Sequence, residues 1–407
     1  MNTKTKLSLP IVDAFGRSTS SSFIDREIER GAWRPTMVPP EVSGMGRPMT
    51  IFLAERKGDL IKQAWHGDAQ TFCPPHWADI AIGSGACGFA CRACFLMLTW
   101  RALRDPLAPV VYDNGDAFER HVQRWLHSSV WKVDGKGLRP RTVKDAIGLG
   151  IDCADSLLWE GITGHARRLI PLFTSALTNP LANPLILLTK SANTHYLAQL
   201  SDAQLKRVAG RVPNVVVTMS LNPEPIADLW EGKFPDTNER ITPPIDRRLE
   251  ALRMAQDMGF EVRVRIDPIF TPNGWREMYA DFFDDMARKH GLRPSMLTLG
   301  TYREKTPQLD LWRAKWGLPE MEFEPETTPT REGTHIHVPD RAAIYDAVRA
   351  HIARAFENIG HMPHVSLCKE THDVRKATAL TNASCNCLTG SLATREADGR
   401  HRLPMVV

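Results

Sequence analysis

The sequence predicts an α/β fold, a partial (β/α)6 TIM-like barrel of parallel strands. Two observations predict it. Short Leu-, Ile- and Val-rich runs recur along residues 78–301, and amphipathic helical stretches separate them. Strands buried on both faces read as continuous apolar runs, and alternation with helices is the mark of parallel βα units. A doubly wound open sheet is the competing arrangement. An N-terminal extension (1–75) precedes the barrel segment (76–305), and a cysteine-bearing C-terminal segment (306–407) follows it.

Residues 1–75 are rich in Pro, Gly, Ser and charge, with a helix expected around Phe52–Trp65. The expected strands are 78–82 (ADIAI), 144–151 (KDAIGLGI), 184–189 (PLILLT), 214–221 (NVVVTMSL), 261–267 (EVRVRID) and 295–301 (SMLTLGT). Helices are expected over ITGHARRLIPLFTSAL and IDRRLEALRMAQDMGF. The second carries Ile245, Leu249, Leu252, Ala255 and Met258 at helical spacing and stops at Gly259. A last helix over 341–357 places Ile344, Val348, Ile352 and Phe356 on one stripe, before a final strand, HVSLC.

With 407 residues the chain can bury a full core, and its net charge of +4 neither demands nor excludes a nucleic-acid partner. No apolar run approaches the roughly 20 residues that span a bilayer. The first residues lack a secretory pattern, so a soluble, cytoplasmic protein is expected, in a bacterial cell or in a host if the chain is phage-encoded. Eight cysteines without a secretory signal argue against a disulfide framework.

Cys87, Cys91 and Cys94 follow the first strand and a flexible Gly83-Ser-Gly85 link, at the strand end where barrels build their chemistry. Three thiolates in eight residues can wrap one soft metal centre, and with a four-iron cluster they leave one iron open. A zinc loop is the alternative, with Cys73 and His76 as the near partners. Cys368, Cys385 and Cys387 form a second constellation, able to hold an auxiliary iron–sulfur cluster or zinc with Cys73 or His372 as a fourth ligand. The basic stretch Lys132, Lys136, Arg139, Arg141 and Lys144 is read either as a solvated loop or as a phosphate contact positioning DNA across the barrel mouth. Residues 322–338 are read as a hairpin turning near Glu332-Gly333.

The Cys-x-x-x-Cys-x-x-Cys run, followed by Phe95, resembles the signature of the radical SAM superfamily. The resemblance implies a [4Fe-4S] cluster whose open iron binds S-adenosylmethionine, reductive cleavage to a 5′-deoxyadenosyl radical, and an external electron donor such as flavodoxin or ferredoxin. Further motifs resemble the spore photoproduct lyases, in the family's order. Asp152-Cys153-Ala-Asp155-Ser156 is similar to the segment bearing that family's hydrogen-donating cysteine, and Thr163-Gly164 follows. Leu188-Thr189-Lys190-Ser191 resembles the strand whose lysine meets the SAM carboxylate, and Ser220-Leu-Asn222 the strand end beside SAM. Thr242 to Arg248, Arg265-Ile-Asp267-Pro268-Ile269, Gly274-Trp275 and Leu299 to Arg303 complete the match. The resemblance implies a catalytic role for Cys153 and cofactor contacts for Asp155, Ser156, Lys190, Ser220, Asn222 and Arg265. Arg265 and Arg303 each require an anion: SAM carboxylate, substrate phosphate or Asp267.

Ala93 and Phe95 stand where the lyases have tyrosines that return a hydrogen atom to the cofactor. The sequence therefore also resembles lyase-like radical SAM enzymes of bacteriophage thymidine hypermodification. These are thought to isomerise an amino acid carried on the thymine methyl carbon, which needs no tyrosine relay. The hairpin would then help hold the target base out of the stack. The remaining alternatives are lesion repair, a radical SAM enzyme on a small molecule, and a non-catalytic, zinc-stabilised nucleic-acid-binding protein.

Overall fold

The structure is a computed structural model and describes residues 11–12, 18–19, 22–63, 77–84, 87–92, 94, 109–133, 137–151, 154–234, 238–302, 311, 314, 328–330, 333–335, 338–368 and 370–380. The N-terminal strands are β1 (Ile11–Val12), β2 (Ser18–Thr19), β3 (Trp33–Val38), β4 (Met49–Ala54) and β5 (Ile61–Gln63). Next come β6 (Trp77–Ile80), β7 (Gly83–Ser84), β8 (Val110–Tyr112), β9 (Val130–Val133), β10 (Gly137–Pro140) and β11 (Ala146–Leu149). The chain continues through β12 (Leu185–Thr189), β13 (Val215–Ser220), β14 (Glu261–Ile269) and β15 (Met296–Thr301). The last strands are β16 (Thr328–Thr330), β17 (Gly333–His335) and β18 (His364–Leu367).

Eight strands form the main sheet, in the order β5-β6-β11-β12-β13-β14-β15-β18. From β6 to β18 every neighbouring pair is parallel, and β5 joins antiparallel to β6. Each parallel strand is thus added on the same side of the one before it. A doubly wound sheet reverses that direction partway, so the winding is that of a barrel, left open between β5 and β18. The sequence-read strands appear within a residue or two of the expected ends, and β13 and β15 are buried almost throughout.

The helices pack outside this sheet. Ile245–Asp257 buries Ile245, Leu249, Leu252 and Ala255, and Gly259 ends the turn at φ +90°. Val338–Glu357 buries Ile344, Val348, Ile352 and Phe356, the stripe read from sequence. The helix expected over 162–177 is broken instead. Gly164 sits at φ +61° and separates Glu160–Thr163 from His165–Thr174. Left-handed backbone costs glycine little and interrupts the helical ladder.

The helix expected at Phe52–Trp65 is not formed. Met49–Ala54 is a strand, buried at every residue, with β3 antiparallel on one side and β8 parallel on the other. A short apolar run fits a doubly buried strand as well as a helix, and only the pairing partners decide. Ile61–Gln63 is also a strand, and residues 64–65 lie outside the described ones. The Gly83-Ser84 link, read as flexible, is β7, paired with Val111 and Val110 at the end of a second sheet of order β3-β4-β8-β7. One apolar core contains Val38 and Ile51 from the N-terminal segment, Val217 and Leu299 from the barrel strands, and Val348 and Val374 from the C-terminal segment.

His165 illustrates a polar group held in that core. Its ring lies 4.6 Å from Phe118, and Nδ1 is 3.0 Å from Thr163 Oγ1. Burial pushes its pKa down to about 4, so the native ring is neutral while an unfolded histidine titrates near 6.5. The stabilisation is present above about pH 6.5 and is lost as pH falls towards 4, a change of ~3 kcal/mol. Urea midpoints measured from pH 7 to 4 should fall more steeply for the wild type than for His165→Gln. Parallel profiles would refute the neutral buried ring.

Candidate active site

The three-cysteine loop leaves β7 at the C-terminal edge of the parallel strands. Its backbone is a chain of tight turns. The Ala90 N–H donates to Cys87 O and the Cys94 N–H to Cys91 O, each at 3.0 Å, and Ala90 adopts φ +45°. Gly88 is pressed against Trp159: a Cβ there would lie 2.5 Å from the indole ring. Cys91 is buried, and Cys87 and Cys94 are partly exposed. Desolvation first, then the charges of Asp155, Cys91 and Cys94, push the Cys87 thiol well above its ordinary range. Desolvation, with Glu231 and Cys94 adding and Lys190 and Arg248 opposing, pushes Cys91 up to about 12. Three thiols on one short loop, with Cys87 and Cys91 close enough to Cys94 to feel its charge, fit a centre that takes one thiolate per iron. Among the described residues, no three His, Cys, Asp or Glu side chains form a site for a single metal ion.

Beside this loop lies a buried ion network. Lys190 follows β12, and its Nζ is 2.8 Å from Glu231 Oε1. Arg248, fully buried, places Nη1 3.0 Å from the same oxygen and Nη2 on Oε2. Thr242 Oγ1 donates to Oε2 at 2.5 Å. The Thr242-to-Arg248 motif is therefore a clamp on Glu231; against the cost of burial, Arg248 and Lys190 hold its carboxylate well below the usual range, and Arg240 Nη2 lies 3.9 Å from Oε2. Glu231 belongs to no motif read from sequence. It ends the helix that follows β13, and only the fold brings it to Lys190.

The other expected site residues divide. Asp155 and Ser156, expected at the cofactor, have their polar atoms engaged by the protein. Asp155 Oδ1 accepts from the Leu157 and Leu158 N–H groups and from Thr189 Oγ1, and Oδ2 accepts from the Lys190 N–H at 2.7 Å. Ser156 Oγ donates to Leu149 O and accepts from the Leu188 N–H, tying β11 to β12. Together they aim Lys190. Asn222 is likewise taken up, accepting from Tyr279 Oη at 2.7 Å and donating to Pro268 O. Ser220 ends β13, half-buried, with its carbonyl accepting from Arg248 Nη1 at 3.3 Å. Of the three anions considered for Arg265, the structure supplies Asp267, with Nη2 2.6 Å from Oδ2. Cys153, Arg303, Ala93 and Phe95 lie outside the described residues.

Of the C-terminal constellation, the described residues include Cys368 and His372. Cys368 lies beyond β18 at the barrel mouth, buried, with Sγ 3.1 Å from Arg265 Nη2. Glu370 is fully buried against Arg341 and Tyr345, and His372 opens the helix His372–Ala377 on the surface. Cys73, His76, Cys385 and Cys387 lie outside the described residues.

Arg141 is not available to a phosphate. Its guanidinium is buried, stacks 4.0 Å from the Trp125 ring centroid, and donates to Trp125 O, Leu126 O, Ser128 O and Asn183 Oδ1. The basic stretch forms the β9–β10 hairpin and enters β11 at its N-terminal end, opposite the strand ends that carry the cysteine loop. A phosphate contact across the barrel mouth therefore does not follow from it. Thr328–Thr330 and Gly333–His335 pair antiparallel, with Thr330 opposite Gly333.

An open, singly wound parallel barrel with a three-cysteine loop after its first strand is the radical SAM architecture, and comparison with solved structures agrees. Spore photoproduct lyase complexed with dinucleoside spore photoproduct superposes with a TM-score of 0.56 at 17% identity, over 77% of this chain and 80% of that one. A lyase mutant with bound AdoMet and dinucleoside spore photoproduct gives 0.56 at 17% identity, over 78% and 82%. No protein-family model and no curated protein matches the sequence. The chain has the radical SAM fold of spore photoproduct lyase. No helix among the described residues is long and apolar enough to cross a membrane.

Proposed function

We propose that this protein is a radical SAM enzyme acting on a thymine-derived base in DNA, isomerising an amino-acid-modified thymidine during phage DNA hypermodification. The observation that carries the radical SAM reading is the convergence of the Cys87–Cys94 loop with Lys190 at one edge of a lyase-like barrel. Cys87, Cys91 and Cys94 would hold a [4Fe-4S] cluster, which with SAM supplies a 5′-deoxyadenosyl radical. Lys190 would meet the SAM carboxylate, with Ser220 at the neighbouring strand end. Asp155 holds the Lys190 N–H and Ser156 the Leu188 N–H, and Arg265, fixed by Asp267, faces the mouth near Cys368. The β16–β17 hairpin is the element proposed to keep the target base out of the stack.

The DNA substrate rests on the lyase resemblance, and the choice of isomerisation rests on Ala93 and Phe95, which have no phenolic hydrogen to return. Photoproduct reversal is the second reading, favoured by the fold matches to a lyase solved with dinucleoside spore photoproduct. The test is anaerobic reconstitution, reduction with dithionite or flavodoxin, and nucleoside analysis of treated DNA. Formation of 5′-deoxyadenosine with a changed thymidine derivative supports the proposal. SAM cleavage with every nucleoside unchanged would leave a small-molecule enzyme, and an iron-free protein would leave the zinc-stabilised binding protein.

Two further measurements belong here. Cys153→Ala is expected to keep SAM cleavage and alter the product distribution, and an unaltered distribution would remove Cys153 as hydrogen donor. Iron is expected at about four per chain from one cluster. A content near eight would support an auxiliary iron–sulfur cluster at Cys368, Cys385 and Cys387, and about four would exclude that cluster there, though not zinc.

A further inference from the structure

Glu231 joins three parts of the site that are distant in sequence. Its side chain holds Lys190 at the end of β12 and Arg248 in the following helix. Its own carbonyl accepts the N–H of Arg92, the residue after Cys91, at 3.0 Å. The Arg92 guanidinium reaches back to Leu229 O at 3.4 Å. The cysteine loop and the Lys190 ammonium are therefore both fastened to one buried residue, only 3% exposed.

Three cations meet this one carboxylate beside Cys91: Lys190, Arg248 and, at 3.9 Å, Arg240, which Glu224 and Asp228 also hold. An anion arriving at Lys190 meets an ammonium already committed to Glu231.

Resting on the radical SAM reading above, we infer that Glu231 is a positioning residue that holds the Lys190 ammonium in place and moderates its grip on the SAM carboxylate. Removing the Glu231 charge leaves Lys190 with no competing carboxylate at 2.8 Å and raises the local charge by one unit. Attraction for an incoming carboxylate then grows, strongly so in a buried site. The same change leaves Arg248 less compensated and costs stability.

The experiment measures equilibrium SAM binding to the anaerobically reconstituted protein, with melting of the metal-free protein in parallel. Glu231→Gln should bind SAM several-fold more tightly than wild type while melting at lower temperature. Lys190→Gln should bind about tenfold more weakly, and adding Glu231→Gln to it should give a clearly smaller gain than in the wild type, because most of the effect runs through Lys190. Glu231→Asp withdraws the carboxylate from Lys190 by one methylene. It should shift affinity the same way by a smaller factor, which preserves the test if the amide variant does not fold. Unchanged or weaker SAM binding in the Glu231 variants, or an equal gain without Lys190, overturns the inference. A wild-type protein that takes up no cluster or binds no SAM would instead overturn the radical SAM reading itself.

Discussion

Cys91→Ala is expected to reduce iron after reconstitution from about four per chain to near zero and to abolish SAM cleavage. Cys91 is the middle of the three thiols and the buried one, and its carbonyl accepts the Cys94 N–H while the next N–H is held by Glu231. A cluster with three protein ligands has none to spare, since the fourth iron must stay open for its ligand. Cys91→Ser should behave the same way, because the demand is for a thiolate and not for a polar side chain. The metal-free variants should melt close to wild type. Burial disfavours a charged thiolate at Cys91, so the empty loop gains nothing from ionising it. Iron assay and 5′-deoxyadenosine quantification check the prediction, and full iron with wild-type turnover in either variant would refute the ligand assignment.

The second large effect is expected away from the cysteines. Glu370 and Arg341 are both fully buried, 3.4 Å apart, and Glu370 also accepts from Tyr345 Oη at 2.6 Å and from the Thr371 N–H. Tyr345 Oη in turn accepts the Thr301 N–H at the end of β15. The network thus pins the helix Val338–Glu357 to the last barrel strands. Glu370→Ala removes the carboxylate from a fully buried ion pair, a change that typically costs about 3–5 kcal/mol. Denaturant midpoints of the metal-free protein should show it. Glu370→Gln should recover part of the loss by keeping the shape and one hydrogen bond. A loss below about 1 kcal/mol would mean that Arg341 is satisfied without Glu370.

The cysteine loop was legible because its chemistry is local. Three thiolates on one short loop need no tertiary contact to be recognised, and a glycine-bearing turn follows a strand in the sequence itself. The parallel strands were legible for a related reason: runs such as Val215–Ser220 are apolar on both faces, which only a covered sheet tolerates. The stripe Ile344, Val348, Ile352 and Phe356 needed only the helical period.

What failed to be legible depends on partners far along the chain. Met49–Ala54 became a strand because β3 and β8 complete its hydrogen bonds, and no window of sequence contains β8. Arg141 reads as a basic surface residue until Trp125, Leu126 and Asn183 close around it. The contact of Cys368 with Arg265 is likewise invisible in the sequence, because β18 and β14 are about 100 residues apart.

By itself the sequence determined the alternation that makes a barrel and the three-cysteine set proposed as a metal centre, since both are short-range patterns. Only the tertiary structure decided that the barrel is singly wound and open and that Glu231 sits between Lys190 and Arg248 beside Cys91. The physical reason is that buried charges and strand order are settled by whatever neighbour satisfies them, and those neighbours are chosen by the fold.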